Sequence, residues 1–439
     1  MQIPDAIQTQ YQVVFLPWVP FDWGAIGSSL RVGRVVFQPL REFAPEPTIA
    51  QFLTRYFERF RDLHDRPVPT ITLCHYAPEE NGYLISLSEQ QLQEIRDAVN
   101  LVLFCVLWDE LCEFLATGSR VAAPPTTETF EIVAQAFTDE MLQMESPSIT
   151  LSTHGMRYTD KLENFRFSIP LNAYLRGLVR PAPDLLHLLQ CVFDVEFPEQ
   201  LRSRILRSLE WFRIANQKGY PVQTKVVSIA TALETLLAPD ENRIKRTLAD
   251  AVDAWLRRQW DEWTVEEQRD GYSRTAAGFW MWDFYELRNR IVHGEPVAPE
   301  EMFVSVPIKR GHEVGSVSVC KADIAAFTHG ILLIDYLAQH AYSGGLEPVE
   351  NSETLDESGD ILLRDTLWKV DDALANLGWR RRLEDDPKAT RLYLQTVLGE
   401  LLEPLSCESL IRERSQERPE PAVEDITNST ITALQVEPL

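Results

Sequence analysis

The sequence predicts an α+β protein: an N-terminal mixed α/β domain, then an α-helical bundle, then a short helical C-terminal appendage. Three observations support this fold class. Runs rich in β-branched and aromatic residues lie early in the chain. Apolar residues recur at helical spacing through the middle of the chain. The last part is acidic and contains proline. The predicted domains are residues 1–195, 196–343 and 344–439.

The bulk composition is that of an ordinary globular protein. At 439 residues the chain is long enough for two or three domains. The N-terminus has neither the basic stretch nor the apolar run of a signal peptide, and no stretch has the length of a membrane helix. The six cysteines are scattered and form no CxxC, which disfavours a disulfide framework or a zinc ribbon. We expect a reduced, cytoplasmic protein with no membrane contact.

The net charge of -24 argues against a general nucleic-acid coat, because phosphates would be repelled. The acidity lies mainly in the two flanking regions, and residues 196–343 are nearly neutral. Most basic residues are arginines, which suit bidentate phosphate contacts. This pattern fits a local anion site within an acidic protein, and a solvated surface explains most of these charges equally well.

The N-terminal region is predicted to alternate strands and helices. Three strands are expected, at 11–16, 30–37 and 70–74, with a helix over 48–63. Ser88 and Gln91 form a capping box that opens a long helix to about residue 115. So many of its residues are apolar that it should be buried almost all round. Further along, the pattern predicts a helix at 128–144, extended chain at 148–170 and a short helix at 185–193.

From residue 198 the spacing of apolar residues is helical. The predicted helices cover 201–212, 224–237, 241–260, a segment ending at His293, and 323–342. The segments 302–306 and 314–320 read as a β-hairpin. An acidic linker at 344–360 leads to two more predicted helices, 361–377 and 387–402, and to an acidic tail.

The helix that ends at His293 concentrates polar chemistry. Asn289 and His293 are four residues apart and share a face, with Arg288 on its flank. Gly294 suits a left-handed C-cap. His293 would then lie in the last turn, where the helix dipole favours a protonated imidazole. The inner face should carry the apolar residues spaced three and four apart, Phe284, Leu287 and Ile291.

An imidazole and a guanidinium suffice for RNA cleavage without a metal ion. The substrate's 2′-hydroxyl attacks the adjacent phosphorus, His293 acts as acid or base, and Arg288 stabilises the charged phosphorane. Asn289 would position the phosphate or the imidazole, and Arg290 would add a phosphate contact or form a salt bridge. The sequence shows no nucleotide-phosphate loop and no convincing metal spacing, so we predict no cofactor and no metal.

Spacing alone is weak evidence, because Arg59 and His64 show the same R-x4-H pattern. Their intervening residue is the bulky Phe60, where the other motif has Asn289, and no glycine follows. We read this second pair as a solvated helix face.

Three segments of residues 198–343 resemble the HEPN superfamily, and specifically its Apea-like branch. Residues 206–212 resemble the first helix of the branch, and residues 229–237, followed by 242–249, resemble its helix with an A-L-E-x-L pattern. Residues 287–294 resemble its R-N-x3-H-G signature, and all three occur in the expected order and spacing. Residues 1–195 resemble no family that we recognise.

The resemblance implies an α-helical bundle that often dimerises, with two R-x4-H motifs meeting at the two-fold axis. It also implies metal-independent ribonuclease activity where the motif is intact, as it is here, often in prokaryotic defence or toxin systems. The expected partners are an RNA substrate, a second copy of the chain and a protein partner for the N-terminal domain. The hairpin at 302–320 departs from the family pattern, and since it could cover or shape the cleft, it puts substrate access in question.

A non-catalytic scaffold is the alternative hypothesis. The Arg–Asn–His cluster would then satisfy helix-end carbonyls and an acid such as Glu286. Glu234 is a lone acid in an apolar helix and should have a partner. Pairing with Arg288 or Arg290 would make it an orienting residue, and the alternatives are another basic partner or exposure at the bundle edge.

The densest basic cluster is Arg380, Arg381 and Arg382, next to Trp379. An indole beside arginines can hold single-stranded RNA. The alternative is that these arginines lie at a helix C-terminus and interact with the negative end of the helix dipole. The acidic residues at 384–386 would weaken any phosphate attraction.

Overall fold

The computed structural model describes 10–43, 47–76, 87–118, 127–153, 156–171, 174, 177–217, 219–239, 243–260, 264–310, 313–341 and 369–381. Residues 1–381 form one compact unit, and the second unit, 382–439, lies outside the described residues. The predicted α+β class is confirmed, because the chain begins with an antiparallel sheet and continues as a mainly helical structure.

The N-terminal region contains a five-stranded antiparallel sheet in the order β2-β3-β5-β1-β6. Alternate residues of β1 face opposite sides: Val13 and Phe15 enter a smaller apolar core, and Val14 and Leu16 enter the main one. The sheet is therefore buried on both faces. Its strands are β1 (Gln10–Leu16), β2 (Leu30–Val32), β3 (Val35–Pro39), β5 (Thr72–Tyr76) and β6 (Val133–Thr138).

The helix predicted at 128–144 is wrong. The structure has a 3-10 turn at Thr127–Phe130, strand β6 and only a short helix, α4 (Asp139–Gln143). Pairing with β1 along six residues stabilises the strand. Phe137 and Gln135 are buried and their neighbours are more exposed, which is the two-residue alternation of a strand. Tertiary pairing has overridden local helical preference.

Smaller elements complete the N-terminal region. Strands β7 and β8 form an antiparallel hairpin within the segment predicted to be extended, and β4 pairs with β9 in parallel. The bounds are α1 (Trp23–Ile26), α2 (Pro47–Phe57), β4 (Phe60–Arg61), β7 (Ser148–Thr153), β8 (Met156–Lys161), β9 (Phe167–Ser168) and α5 (Pro183–Gln190).

The long helix α3 (Glu89–Thr117) joins the sheet to the helical bundle. The capping box predicted at Ser88 and Gln91 is confirmed. Most of the residues from Ile95 to Trp108 are buried, as the apolar sequence predicts. Trp108 Nε1 donates to the Phe327 carbonyl at 3.0 Å. The main apolar core thus runs without a break from the sheet, along α3, into the bundle.

In the described part of the bundle there are five further helices, all predicted, and two hairpins, of which one was predicted. The hairpin predicted at 302–320 is present as β12 and β13, paired in register from Phe303 with Cys320 onward. The bounds are α6 (Glu199–Ala215), α7 (Val222–Leu237), α8 (Ile244–Trp260), β10 (Glu266–Arg269), β11 (Tyr272–Thr275), α9 (Ala276–Val292), β12 (Phe303–Arg310), β13 (Glu313–Cys320) and α10 (Lys321–Ala341).

The bundle core contains a buried Ser–His contact. Ser208 Oγ donates to the Ala232 carbonyl at 3.0 Å, so it accepts from His329 Nε2. The His329 ring stacks on Phe212 and meets Phe104 edge-on. Burial lowers the pKa of His329 to about 3, which keeps the imidazole neutral.

The segment 369–381 packs on the rest of the unit. Residues 369–376 are helical, matching the end of the helix predicted at 361–377, and Gly378 closes it with a φ of +73°. Asn376 Nδ2 donates to the carbonyls of Leu115 and Ala116 at the end of α3, at 2.9 and 2.7 Å. The predicted linker, second helix and tail lie outside the described residues.

Within the described ranges, no helix is both long and apolar enough to cross a membrane.

Candidate functional site

The motif helix α9 is anchored at its start by a buried polar network. Thr275 is the N-cap, and its hydroxyl accepts from the backbone N–H of Gly278 at 3.0 Å. The carboxylate of Asp253 accepts from both the backbone N–H and the hydroxyl of Thr275. It also pairs with Arg274 at 2.7 Å. These contacts fix the start of the helix.

The end of α9 has the geometry that the glycine predicts. Gly294 has a φ of +73°, in the left-handed region. Its N–H donates to the Ile291 carbonyl at 3.1 Å, and the N–H of Glu295 donates to the Arg290 carbonyl at 2.9 Å. This pair of bonds is a Schellman motif. His293 is therefore the C-cap residue, at the negative end of the helix dipole.

The helix separates apolar from polar residues as the sequence predicts. Phe284 and Leu287 are buried, and Ile291 is half-buried against the main core. The polar side of the last two turns is half-buried at Arg288 and Asn289 and exposed at His293. The motif thus lies on the surface, with its arginine partly sheltered and its imidazole open to solvent.

Arg288 pairs with Glu234 of helix α7. Its Nη2 lies 3.2 Å from Glu234 Oε1, and each side chain is 21% exposed. The hydroxyl of Tyr285 donates to the same carboxylate oxygen at 2.9 Å. Of the alternatives that the sequence left open for Glu234, the structure has the pair with Arg288. Glu234 is therefore placed to orient the guanidinium.

Tyr285 completes this arrangement and is absent from the sequence-based set of site residues. The Arg288 guanidinium carbon lies 5.3 Å from the centre of the Tyr285 ring. Burial, then the contact with Glu234, raises the pKa of Tyr285, so its hydroxyl stays protonated. The signal was available, since Tyr285 precedes Arg288 by three residues and therefore shares its side of the helix.

Arg288 keeps donors free for a ligand. Its Nη1 donates to Asn289 Oδ1 at 3.3 Å, which is a long contact. Its Nε also has no hydrogen-bond partner among the described residues, but it is buried, so the donors open to a ligand are those of the two Nη groups. A guanidinium has five N–H donors, and only some are used by Glu234 and Asn289. The group can hold an oxyanion while remaining oriented by the carboxylate behind it.

Arg290 serves the following loop rather than the open surface. Its guanidinium contacts Glu301 at 2.5 Å, the Pro296 carbonyl at 3.0 Å and Glu295 at 3.7 Å. The hydrogen bonds from Arg290 and from the Ala298 N–H lower the pKa of Glu301 to about 2. Of the two roles that the sequence left open for Arg290, the structure has the salt bridge. It ties the segment after the motif to the helix end.

Glu286 takes a different partner from the one suggested by the scaffold hypothesis. Its carboxylate pairs with Lys245 of helix α8 at 2.7 Å. Two residues along a helix correspond to about 200° of rotation, which turns Glu286 away from Arg288. Lys245 Nζ also lies 4.4 Å from the centre of the Trp282 ring. Glu286 therefore ties α9 to α8 and does not neutralise the Arg288–Asn289–His293 cluster.

The imidazole of His293 is free. Within the described ranges its ring has no hydrogen bond, ion pair or ring contact. A solvent-exposed imidazole at a helix C-terminus can exchange a proton with a bound substrate.

Trp379 and Arg380 are not on the surface. Trp379 is 3% exposed and packs against Trp280, with ring centres 5.4 Å apart. Arg380 is also 3% exposed and pairs with Asp371. The indole and this guanidinium are buried by the docking of segment 369–381, so they offer no stacking surface to RNA. Arg381 is exposed, and Arg382 lies outside the described residues.

The second R-x4-H pattern is not the helix face that the sequence indicated. Helix α2 ends at Phe57, before Arg59. His64 lies in the following turn, where its Nε2 is 2.8 Å from the Tyr174 hydroxyl. The two R-x4-H pairs therefore stand in different backbone settings, and only the pair at 288 and 293 belongs to a single helix and its cap.

Within the described part of the chain, no three His, Cys, Asp or Glu side chains come together as a metal-binding group.

Comparison of the chain with protein-family models, with curated protein sequences and with solved structures gave no match.

Proposed function

We propose that this protein is a metal-independent endoribonuclease of HEPN type. The observation that carries the proposal is the end of helix α9, where Arg288 is oriented by Glu234 and a free imidazole, His293, lies at the helix cap. An oriented guanidinium can stabilise the charged phosphorane of RNA transesterification, and an exposed imidazole can serve as its acid or base. The motif resemblance adds the expectation of RNA as the substrate.

In the proposed reaction, the substrate's 2′-oxygen forms a bond to the neighbouring phosphorus and the bond to the 5′-oxygen breaks. The proton of the 2′-hydroxyl leaves to a base, and an acid protonates the departing 5′-oxygen. The products are a 2′,3′-cyclic phosphate and a 5′-hydroxyl. Arg288 neutralises the charge that grows on the phosphorane, and Asn289 helps to position the phosphate.

One imidazole per chain is a reason to expect a dimer. Base and acid act on opposite sides of the phosphorus, and each chain offers one free imidazole in the motif. A homodimer that brings two copies of His293 together would supply both, as the HEPN resemblance implies. We place the protein in the cytoplasm of a prokaryote, in defence or toxin-like RNA cleavage, with the N-terminal domain as a sensor or partner-binding module.

A non-catalytic scaffold is the second candidate function. The observation in its favour is that Arg288 and Arg290 already form ion pairs with Glu234 and Glu301. In this alternative the helix end stabilises a dimer or binds RNA or protein without cleaving it.

The test is cleavage of a mixed RNA by the purified full-length protein, with and without chelator. We expect cleavage that leaves 2′,3′-cyclic phosphate ends, that survives chelator and that falls by at least about a hundredfold in His293→Ala. His64→Ala is the matched control, because it removes the imidazole of the other R-x4-H pair and should leave activity unchanged. Equal activity in His293→Ala and the unmodified protein would refute the catalytic assignment.

A further inference from the structure

The segment that follows the motif forms one wall of an open groove. A short 3-10 helix, Pro299–Met302, leads directly into strand β12. Between this turn and the outer face of the β12–β13 hairpin lies a groove of about 400 Å³. Its lining residues are Pro299, Glu300, Phe303, Val304, Ser305 and Ser318.

The lining combines an exposed aromatic ring with polar groups. Phe303 is 41% exposed, so part of its ring is open to a ligand in the groove. Ser305 lies two residues further along β12 and so shares the same face, and Ser318 is its direct partner across the hairpin. A flat ring beside two hydroxyls is the composition of a base-binding platform.

Glu300 contributes a carboxylate that nothing else uses. Its neighbour Glu301 pairs with Arg290, whereas Glu300 is exposed and has no side-chain partner among the described residues. Among the described residues, no basic side chain lines the groove. The groove is therefore unsuited to a phosphate, and it suits a group that donates hydrogen bonds. Amino groups of cytosine and adenine meet that requirement, while uracil presents a carbonyl oxygen at the corresponding position.

The groove is tied to the motif helix. Arg290 contacts both Glu301 and the Pro296 carbonyl, so the groove wall is fixed to the last turn of α9. Phe303 follows Glu301 by two residues, which is at most about 7 Å of extended chain. A base in the groove would thus lie beside a segment that Arg290 holds to the end of the motif helix.

We propose that this groove is a nucleobase subsite for single-stranded RNA, in which Phe303 stacks on a base and Glu300 accepts hydrogen bonds from its amino group. The proposal rests on the proposed RNA substrate. It adds a specificity: bases with an exocyclic amino group are preferred over uracil. It also gives the hairpin, which departs from the family pattern, a role in substrate selection.

The test measures binding rather than cleavage, using fully 2′-O-methylated oligonucleotides that cannot undergo 2′-oxygen attack. Fluorescence anisotropy would compare labelled oligo(C) and oligo(U) on the full-length protein. We expect oligo(C) to bind more tightly than oligo(U), and Glu300→Gln to remove most of that difference. Phe303→Ala should weaken oligo(C) binding by about 5- to 150-fold, the range for loss of one stacked base, and Phe303→Tyr should retain it.

Tyr272→Ala is the matched control, since Tyr272 is an exposed aromatic residue on the other hairpin, at 69% against 41% for Phe303. Equal binding of oligo(C) and oligo(U), or unchanged affinity in Phe303→Ala, would overturn the proposal. So would a change of sedimentation coefficient in Phe303→Ala, which would make this face a contact between copies of the chain. Binding without any cleavage would refute only the ribonuclease function, and cleavage without base preference would refute only the subsite.

Discussion

Tyr285 and Arg288 meet on one atom: the Tyr285 hydroxyl and Arg288 Nη2 both contact Oε1 of Glu234, at 2.9 and 3.2 Å. One carboxylate oxygen therefore links two residues of the motif helix to the neighbouring helix α7. The guanidinium is restrained from behind by the carboxylate and from the side by the aromatic ring. The orientation of Arg288 therefore depends on its contacts with both Glu234 and Tyr285.

Tyr285→Phe removes one hydrogen bond and leaves the ring in place. We expect the free energy of unfolding to fall by about 1 kcal/mol, the usual net value for a hydrogen bond. Glu234→Gln combined with Tyr285→Phe should cost less than the sum of the two single variants, because both changes act on one network. Urea denaturation of the four proteins measures this coupling. Strictly additive costs would show that the carboxylate does not join the two side chains.

His329→Gln should make the free energy of unfolding depend less on pH below about pH 6.5. The folded pKa of His329, lowered by burial to about 3, lies below the value near 6.5 expected for the unfolded chain. The unfolded state therefore binds the proton first. The stabilising contribution is complete above about pH 6.5 and is lost as the pH falls towards 3, by at most about 1.4 kcal/mol per pH unit.

Urea midpoints at pH 7.5, 6.0 and 5.0 measure that slope. The exposed His187 supplies the control, and His187→Gln should keep the slope of the unmodified protein. If His329→Gln and the unmodified protein lost stability equally between pH 7.5 and 5.0, the neutral buried imidazole would not be the cause.

Gly330→Ala should be strongly destabilising. A Cβ added at Gly330 would lie 2.0 Å from Trp108 Nε1. The Trp108 side chain is only 1% exposed, so the surrounding core prevents the indole from moving aside. Overpacking of this kind costs about 1–3 kcal/mol or more. A Cβ added at Gly177 would have no heavy atom of the described residues within 4 Å, so Gly177→Ala should be neutral. Thermal unfolding of both variants makes the comparison, and equal stability would mean that α3 does not pack on α10 in this way.

Asn376→Leu tests the docking of segment 369–381. The substitution leaves the carbonyls of Leu115 and Ala116 without their side-chain donor in a buried setting. We expect a loss of about 1–3 kcal/mol and faster amide exchange at the end of α3. Hydrogen exchange followed by mass spectrometry measures it. Exchange that rises across the whole chain, rather than at this end of α3, would contradict a local role.

The sequence by itself determined the local features. These features depend on residues within a few positions of each other. They are the capping box at Ser88, the glycine-closed end of α9, the β12–β13 hairpin and the separation of apolar and polar faces on the motif helix. Such features follow from backbone geometry and side-chain spacing alone. The same spacing could have identified Tyr285 as a neighbour of Arg288.

Only the tertiary structure decided which distant groups meet. Strand β6 exists because β1 pairs with it, against the helical preference of its own residues. The pairs of Glu234 with Arg288 and of Glu286 with Lys245 each join residues from separate helices. The contact of Trp379 with Trp280 likewise joins segment 369–381 to helix α9. Apolar packing sets those distances, and the charged side chains then take the partners that packing brings within reach.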